Sequence, residues 1–197
     1  CPTQDTSGRV GNAFAFSAAD DSVVIEGSGA DVFDFAAGAS FSIELWMKRD
    51  GVGTPLTGSE AFMGRYAGAS NVAWWVGVND GGTVSTIFWD GDGPWNAPRL
   101  DGTVNVVDNQ WHHVVIVRQG GTDDKLMIYV DGELDAFADQ SADDNTDGSF
   151  EATADVTIGA QGGALNYAGV LDEVAVYNTA LTDAMIFQHF NGAAGAT

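Results

Sequence analysis

The stretch QWHHVVIVRQ, residues 110–119, sets two adjacent histidines behind a tryptophan and ahead of a run of β-branched residues. Val and Ile are stiff at χ1 and suit a pleated strand better than a helix. Side chains along a strand alternate between its two faces. Trp111, His113, Val115 and Val117 then share one face, and His112, Val114, Ile116 and Arg118 the other. The histidines point apart and cannot easily share a metal ion. A zinc site also wants further His or Cys ligands at suitable spacing. The chain offers only His189 and Cys1 besides this pair. The stretch therefore reads first as a strand, with a catalytic or metal pair as the alternative that the rest of the chain has to decide.

The same alternation recurs on either side. NAFAF (12–16) and SVVIE (22–26) flank the acidic turn Asp20-Asp21. SFSIELWMK (40–48) sends Phe41, Ile43, Leu45 and Met47 to one face and Ser42, Glu44, Trp46 and Lys48 to the other. NVAWWVGV (71–78) and TVSTIFW (83–89) are separated by NDGG, a hairpin signal because Asn and Gly tolerate positive φ. KLMIYV (125–130) follows the His-His strand, and Asp131-Gly132 turns the chain into ELDAFA (133–138). DVTIGA and GVLDEVAVY complete the strands. One helix is expected over LTDAMIFQHF (181–190), with Thr182 as N-cap, Ile186, Phe187 and Phe190 as its apolar stripe, and Gly192 as its stop. Short strands at regular spacing with glycine-rich turns predict an all-β sandwich of two antiparallel sheets with one short C-terminal helix. Phe41, Ile43, Leu45, Val115, Val117, Ile128 and Val174 are expected among its buried residues.

The 197 residues fit a single domain, residues 1–197, and 45% hydrophobic residues supply a real core. Net charge is −21, with only two lysines. Such a surface repels nucleic acid, whose binding rests largely on Lys and Arg against phosphate. It suits divalent cations, salt, and neutral or cationic partners. No apolar run of about 18 residues is present, so no membrane span is expected. Both ends read as cut from a larger protein, and the single Cys1 forms no internal disulfide.

The segments GNAFAF…DDSVVI, FSIELWMK, WHHVVIVRQG…KLMIYVDGEL and VTIGA…YAGVLDEVAVYNTALTDAMI appear in that order between about residues 8 and 191. Together they resemble a laminin-G-like, pentraxin-like domain of the concanavalin A-like superfamily. The resemblance implies a jelly-roll sandwich in which the Trp-His-His stretch is a structural strand. It also implies an extracellular or cell-surface setting, among neighbouring domains of a larger chain.

Fold does not give function. Relatives of this fold that cleave β-glucans carry a Glu-x-Asp-x-x-Glu strand, whereas here Glu133 and Asp135 are followed by Ala138 in the third position. A retaining mechanism needs two carboxylates about 5 Å apart, so the chain is read as no enzyme. Calcium is the expected cofactor. Asp143, Asn145, Asp147 and Gly148 match the first half of an Asp-x-Asn-x-Asp-Gly calcium loop. Ser149 is placed to offer a carbonyl and Glu151 a carboxylate or bridged water. Ala154 stands where that loop normally ends in Glu. The resemblance implies a second calcium position at Asp172, helped by Asp20 or Asp21. The ligand surface is expected in WDGDGPWNAPR (89–99), where Trp95 offers an aromatic plate and Asp90, Asp92, Asn96 and Arg99 offer polar groups for sugar hydroxyls. The reading is a non-catalytic, calcium-associated binding or adhesion module for a glycan or surface protein. A structural spacer or assembly domain of a surface filament, and a polysaccharide-active enzyme, are the alternatives.

Overall fold

The structure, a computed structural model, describes residues 1–17, 21–27, 32–49, 56, 58–66, 73–90, 99–121, 124–139 and 148–194. In chain order its strands are β1 (Thr3–Asp5), β2 (Ala13–Ser17), β3 (Val23–Ile25), β4 (Phe41–Lys48), β5 (Glu60–Tyr66), β6 (Ala73–Val78) and β7 (Thr83–Trp89). They continue with β8 (Arg99–Asn105), β9 (Trp111–Gln119), β10 (Lys125–Val130), β11 (Glu133–Asp139), β12 (Val156–Ile158) and β13 (Ala168–Tyr177), and helix α1 (Asp183–Ala194) follows. Sheet A runs β1-β2-β13-β4-β9-β10-β11 and sheet B runs β3-β12-β5-β6-β7-β8. Every described neighbouring pair is antiparallel.

Alternation decides which side chains meet. Phe41, Ile43, Leu45 and Met47 of β4 join Val114 and Ile116 of β9 and Ile128 of β10 in the core between the sheets. Sheet B meets them with Trp74, Val76 and Val78 of β6 and Val84 and Phe88 of β7. The other faces of β9 and β10 carry Val115, Val117 and Tyr129, which pack on Leu181 and Ile186 in a second, smaller cluster beneath α1. Strand β4 is thus buried on both faces up to Met47, although its sequence alternates.

Val115 and Val117 are buried as expected, beneath the helix and not between the sheets. Other expectations are corrected. Val174 is only partly buried against the core. Phe187 leaves the helix stripe and is 52% exposed, because Ile186 takes the inward position and Phe187 follows one residue round. The helix passes through Gly192 to Ala194. Strands β1, β5 and β8 come in addition to those expected. Strand β8, RLDGTVN, is polar and largely exposed because it forms one edge of sheet B.

That edge is closed from the side. In the β10–β11 ladder Tyr129 faces Leu134 and Ile128 faces Ala136, so Asp135 is the extra residue of a bulge. A bulge re-aims the side chain it carries. The Asp135 carboxylate accepts hydrogen bonds from Thr103 N at 2.9 Å, Thr103 Oγ1 at 2.6 Å and Val104 N at 3.2 Å. It lies over Gly102, where any side chain would collide with it. The last strand of sheet A therefore staples the last strand of sheet B.

Candidate ligand site at the end of the sandwich

Strands β4, β7, β9 and β10 reach a common end at Phe41, Phe88, Arg118 and Lys125, where the Phe41 and Phe88 rings lie 5.1 Å apart. Phe150 enters between the sheets there and meets both rings edge-on, at 6.4 and 5.6 Å. Its N–H donates to the Phe35 carbonyl at 2.8 Å. Two buried ion pairs secure the same end. Arg65 donates to Asp34 at 2.7 Å, and Arg118 grips Asp124 through Nε at 3.1 Å and through a shorter Nη2 contact. The Arg118 guanidinium also lies 5.1 Å over the Phe150 ring. Breaking a buried pair leaves an uncompensated charge, so such pairs hold chain segments in register.

Two of the expected functional stretches meet at this end. Asp90 closes β7, is buried, and its Oδ2 accepts the Gly148 N–H at 2.8 Å. A side chain at Gly148 would press into that carboxylate. The base of the 89–99 stretch is thereby joined to the middle of the 143–151 stretch. Ser149 follows, its hydroxyl accepting Glu151 N at 3.2 Å, with Glu151 exposed. Arg99 is not a loop residue: it opens β8 opposite Ile87, and its Nε donates to Asp101 at 2.8 Å. Asp92, Trp95, Asn96, Asp143, Asn145 and Asp147 lie outside the described residues.

The structure does not bring Asp172 and Asp21 together. Asp172 accepts Val10 N at 2.8 Å and Glu173 N at 2.9 Å, so its carboxylate fastens the chain ahead of β2 onto β13. Asp21 accepts the Ser17 N–H at 2.9 Å and the Ser17 hydroxyl at 2.6 Å. The hydroxyl bond is the main cause that holds Asp21 down at about 2. Ser17 pairs with Ala168, four residues along β13 from Asp172, which separates the two acids by about 13 Å at strand rise. Asp20 lies outside the described residues. Among the described residues no three His, Cys, Asp or Glu side chains form a group able to hold a metal ion.

The histidines do diverge, and each finds carboxylates. His112 lies between Asp131, 2.8 Å from Nδ1, and Asp108, 3.1 Å from Nε2. Burial disfavours the charged ring, but the bonds to Asp131 and Asp108 outweigh it and raise the His112 pKa. His113 turns to the other face and meets Glu44 at 2.6 Å through Nε2. Glu44 also accepts the Tyr177 hydroxyl at 2.7 Å and contacts His189 Nδ1 of α1 at 3.0 Å. Burial alone would push the Glu44 carboxyl up, yet the hydrogen bonds from His113 and Tyr177 leave it below its ordinary value. Burial first, and Glu44 second, push Tyr177 up to about 12. Sequence reasoning missed this network, because it joins β4, β9, β13 and α1. The outward parity of Glu44 and His113 within two apolar strands was the available signal.

Glu133 is exposed, Asp135 is engaged by the β8 amides, and position 138 is alanine.

A laminin-G-type family model, described as the Concanavalin A-like lectin/glucanases superfamily, matches residues 18–187. The chain belongs to this superfamily. A search of curated proteins finds no significant match. Among solved structures, this superfamily member is similar to the binding domain of Paraclostridial Mosquitocidal Protein 1, with TM-score 0.72 and 14% identity over 97% of this chain and 45% of the other. A SAP-like heptameric pentraxin from Limulus polyphemus gives TM-score 0.61 and 14% identity, over 88% of this chain and 79% of the pentraxin. Domain 4 of AbnA, a GH43 extracellular arabinanase from Geobacillus stearothermophilus solved with arabinotriose, gives 0.63 and 18%, over 95% and 80%. The chain spans less than half of the mosquitocidal and botulinum neurotoxin binding domains that it matches. At these identities the likeness is one of fold.

Proposed function

We propose that the chain is a non-catalytic binding module of an extracellular or cell-surface protein, with a glycan or a surface protein as ligand. The observation that carries this reading is the Asp90–Gly148 hydrogen bond. It joins Asp90, at the start of the 89–99 stretch, to Gly148, within the 143–151 stretch, at one end of the sandwich. Loops on a rigid scaffold are where binding residues concentrate. The similar solved structures, several named as binding domains and one holding arabinotriose, support this reading at the level of fold.

In this proposal Trp95 stacks on a sugar or apolar group, flanked by Asp92, Asn96 and Arg99. Calcium is held by Asp143, Asn145 and Asp147, with Ser149 and Glu151 completing an oxygen shell. Several carboxylates in a glycine-bearing turn repel one another until a hard cation neutralises them. A glycan array read with calcium and with chelator tests the ligand. Signal lost on Trp95→Ala supports the site, and signal indifferent to Trp95→Ala places the ligand elsewhere. Melting curves test the ion: binding to the folded state alone adds about 2.7 kcal/mol at 100-fold excess over Kd. Asp143→Ala with Asp147→Ala should abolish that gain. If calcium and magnesium shift the melt no more than sodium at equal ionic strength, the calcium assignment fails.

A further inference from the structure

The outer face of sheet A is only partly covered. Val117, Met127 and Phe137 stand in register across β9, β10 and β11. Helix α1 covers Val115, Val117 and Tyr129, but Leu134 and Phe137 on β11 remain 50% and 63% exposed. Asp183, at the start of α1, accepts the Tyr129 hydroxyl at 2.7 Å, which marks the helix flank turned toward β10. Residues four apart lie one above the other on a helix, so Phe187 extends the same flank toward β11, also half exposed. Beside the first turn of α1 a cleft of about 520 Å³ opens, lined by Val117, Met127, Tyr129 and Leu181. Cleft and exposed side chains share the outer face of sheet A, with Gln119, Thr182 and Asp183 as the polar members of the cleft wall.

An exposed apolar tract of this kind marks interaction sites on soluble domains. Charge selects the occupant. The chain carries 28 acids against seven Lys and Arg, so a second copy would bring like charge to the contact. The lysine beside the cleft, Lys125, stands opposite Asp139. Complementary potentials favour a positively charged partner. We propose that this tract docks a cationic amphipathic segment of a partner protein, with apolar side chains in the cleft and Lys or Arg toward the acidic surface around it.

The test uses two fluorescently labelled peptides of equal length, one alternating Lys and Leu, the other Glu and Leu, titrated with the chain and read by anisotropy. Phe137→Asp and Phe187→Asp alter exposed positions of the tract. Val24→Asp makes a matched change at another exposed position, 54% open on β3. The Lys–Leu peptide should bind saturably, and each tract substitution should weaken it about tenfold, as loss of an aromatic anchor does. Val24→Asp should leave binding unchanged, and the Glu–Leu peptide should not bind. Equal weakening by Val24→Asp overturns the proposal, because attraction is then to net charge alone. Absence of Lys–Leu binding overturns it too. So does sedimentation showing a wild-type dimer that Phe137→Asp dissolves, since the occupant is then a second copy.

Discussion

Glu44→Ala removes the carboxylate shared by β9, β13 and α1. His113 is left with a buried Nε2 that lacks its partner, its side chain 1% exposed. The Tyr177 hydroxyl loses its acceptor in a partly buried setting, while His189, 38% exposed, turns to water. An orphaned buried group costs about 1–3 kcal/mol. His113 takes most of that range, Tyr177 a smaller share, and His189 little. Truncation also opens space beneath the helix. The total is about 3–5 kcal/mol, a large part of the roughly 5–15 kcal/mol that holds a domain together. Glu44→Gln keeps the shape and one acceptor oxygen, and should cost about 1–3 kcal/mol. Urea unfolding followed by tryptophan fluorescence at pH 7 measures both. A loss below about 1 kcal/mol for Glu44→Ala at unchanged m-value would refute the reasoning. The pH dependence adds a second reading. Because the folded carboxyl sits below the ordinary value of 4.5, its stabilisation is complete above that value and drains away as pH falls through the lower folded one. Glu44→Gln should flatten this acid limb.

His112 has the opposite sign: its pKa is raised in the folded state, so its contribution is complete below about 6.5 and is lost as pH climbs through the higher folded value. Melting temperature of His112→Gln relative to wild type should therefore fall furthest behind on the acidic side and converge in alkali. Asp135→Ala frees the Thr103 and Val104 amides of β8 and should cost about 1–2 kcal/mol, with light scattering rising as the edge opens to other strands. Ile186→Ala, fully buried under the helix, should cost about 2–4 kcal/mol, whereas the exposed Phe187→Ala should stay within about 0.5 kcal/mol of wild type in the same urea titration.

Strand order apart, most of the sandwich was legible because alternation is a local property. FSIELWMK and WHHVVIVRQ announce their faces residue by residue, and the sorting of His112 from His113 followed from parity alone. What parity does not tell is the identity of the neighbour. Val115 and Val117 read correctly as buried, but their letters do not show that a helix from 66 residues downstream is what covers them. Strand β8 escaped notice because an edge strand needs few apolar residues, and the role of Asp135 was hidden because its β8 partners lie about 30 residues upstream. The amide partners of Asp172 and Asp21 were hidden for a similar reason: a letter does not show what its carboxylate touches. In the 89–99 and 143–151 stretches the residue types were legible, while their meeting point at Asp90 and Gly148 required the fold.

Sheet A places β13 between β2 and β4, and this has a consequence for how the chain is made. The meanders β5-β6-β7-β8 and β9-β10-β11 link strands close in sequence and can form early. The β2–β13 ladder joins Phe14 to Leu171 and Ser17 to Ala168, separations that bring large loop-closure entropy and slow folding. A ribosome must therefore deliver nearly the whole domain before sheet A has its middle. Until then β2 and β4 both show an unpaired edge, and truncations that stop before residue 168 should emerge as aggregation-prone fragments instead of smaller sandwiches. The last strand to be synthesised is the one that turns two partial sheets into a closed fold.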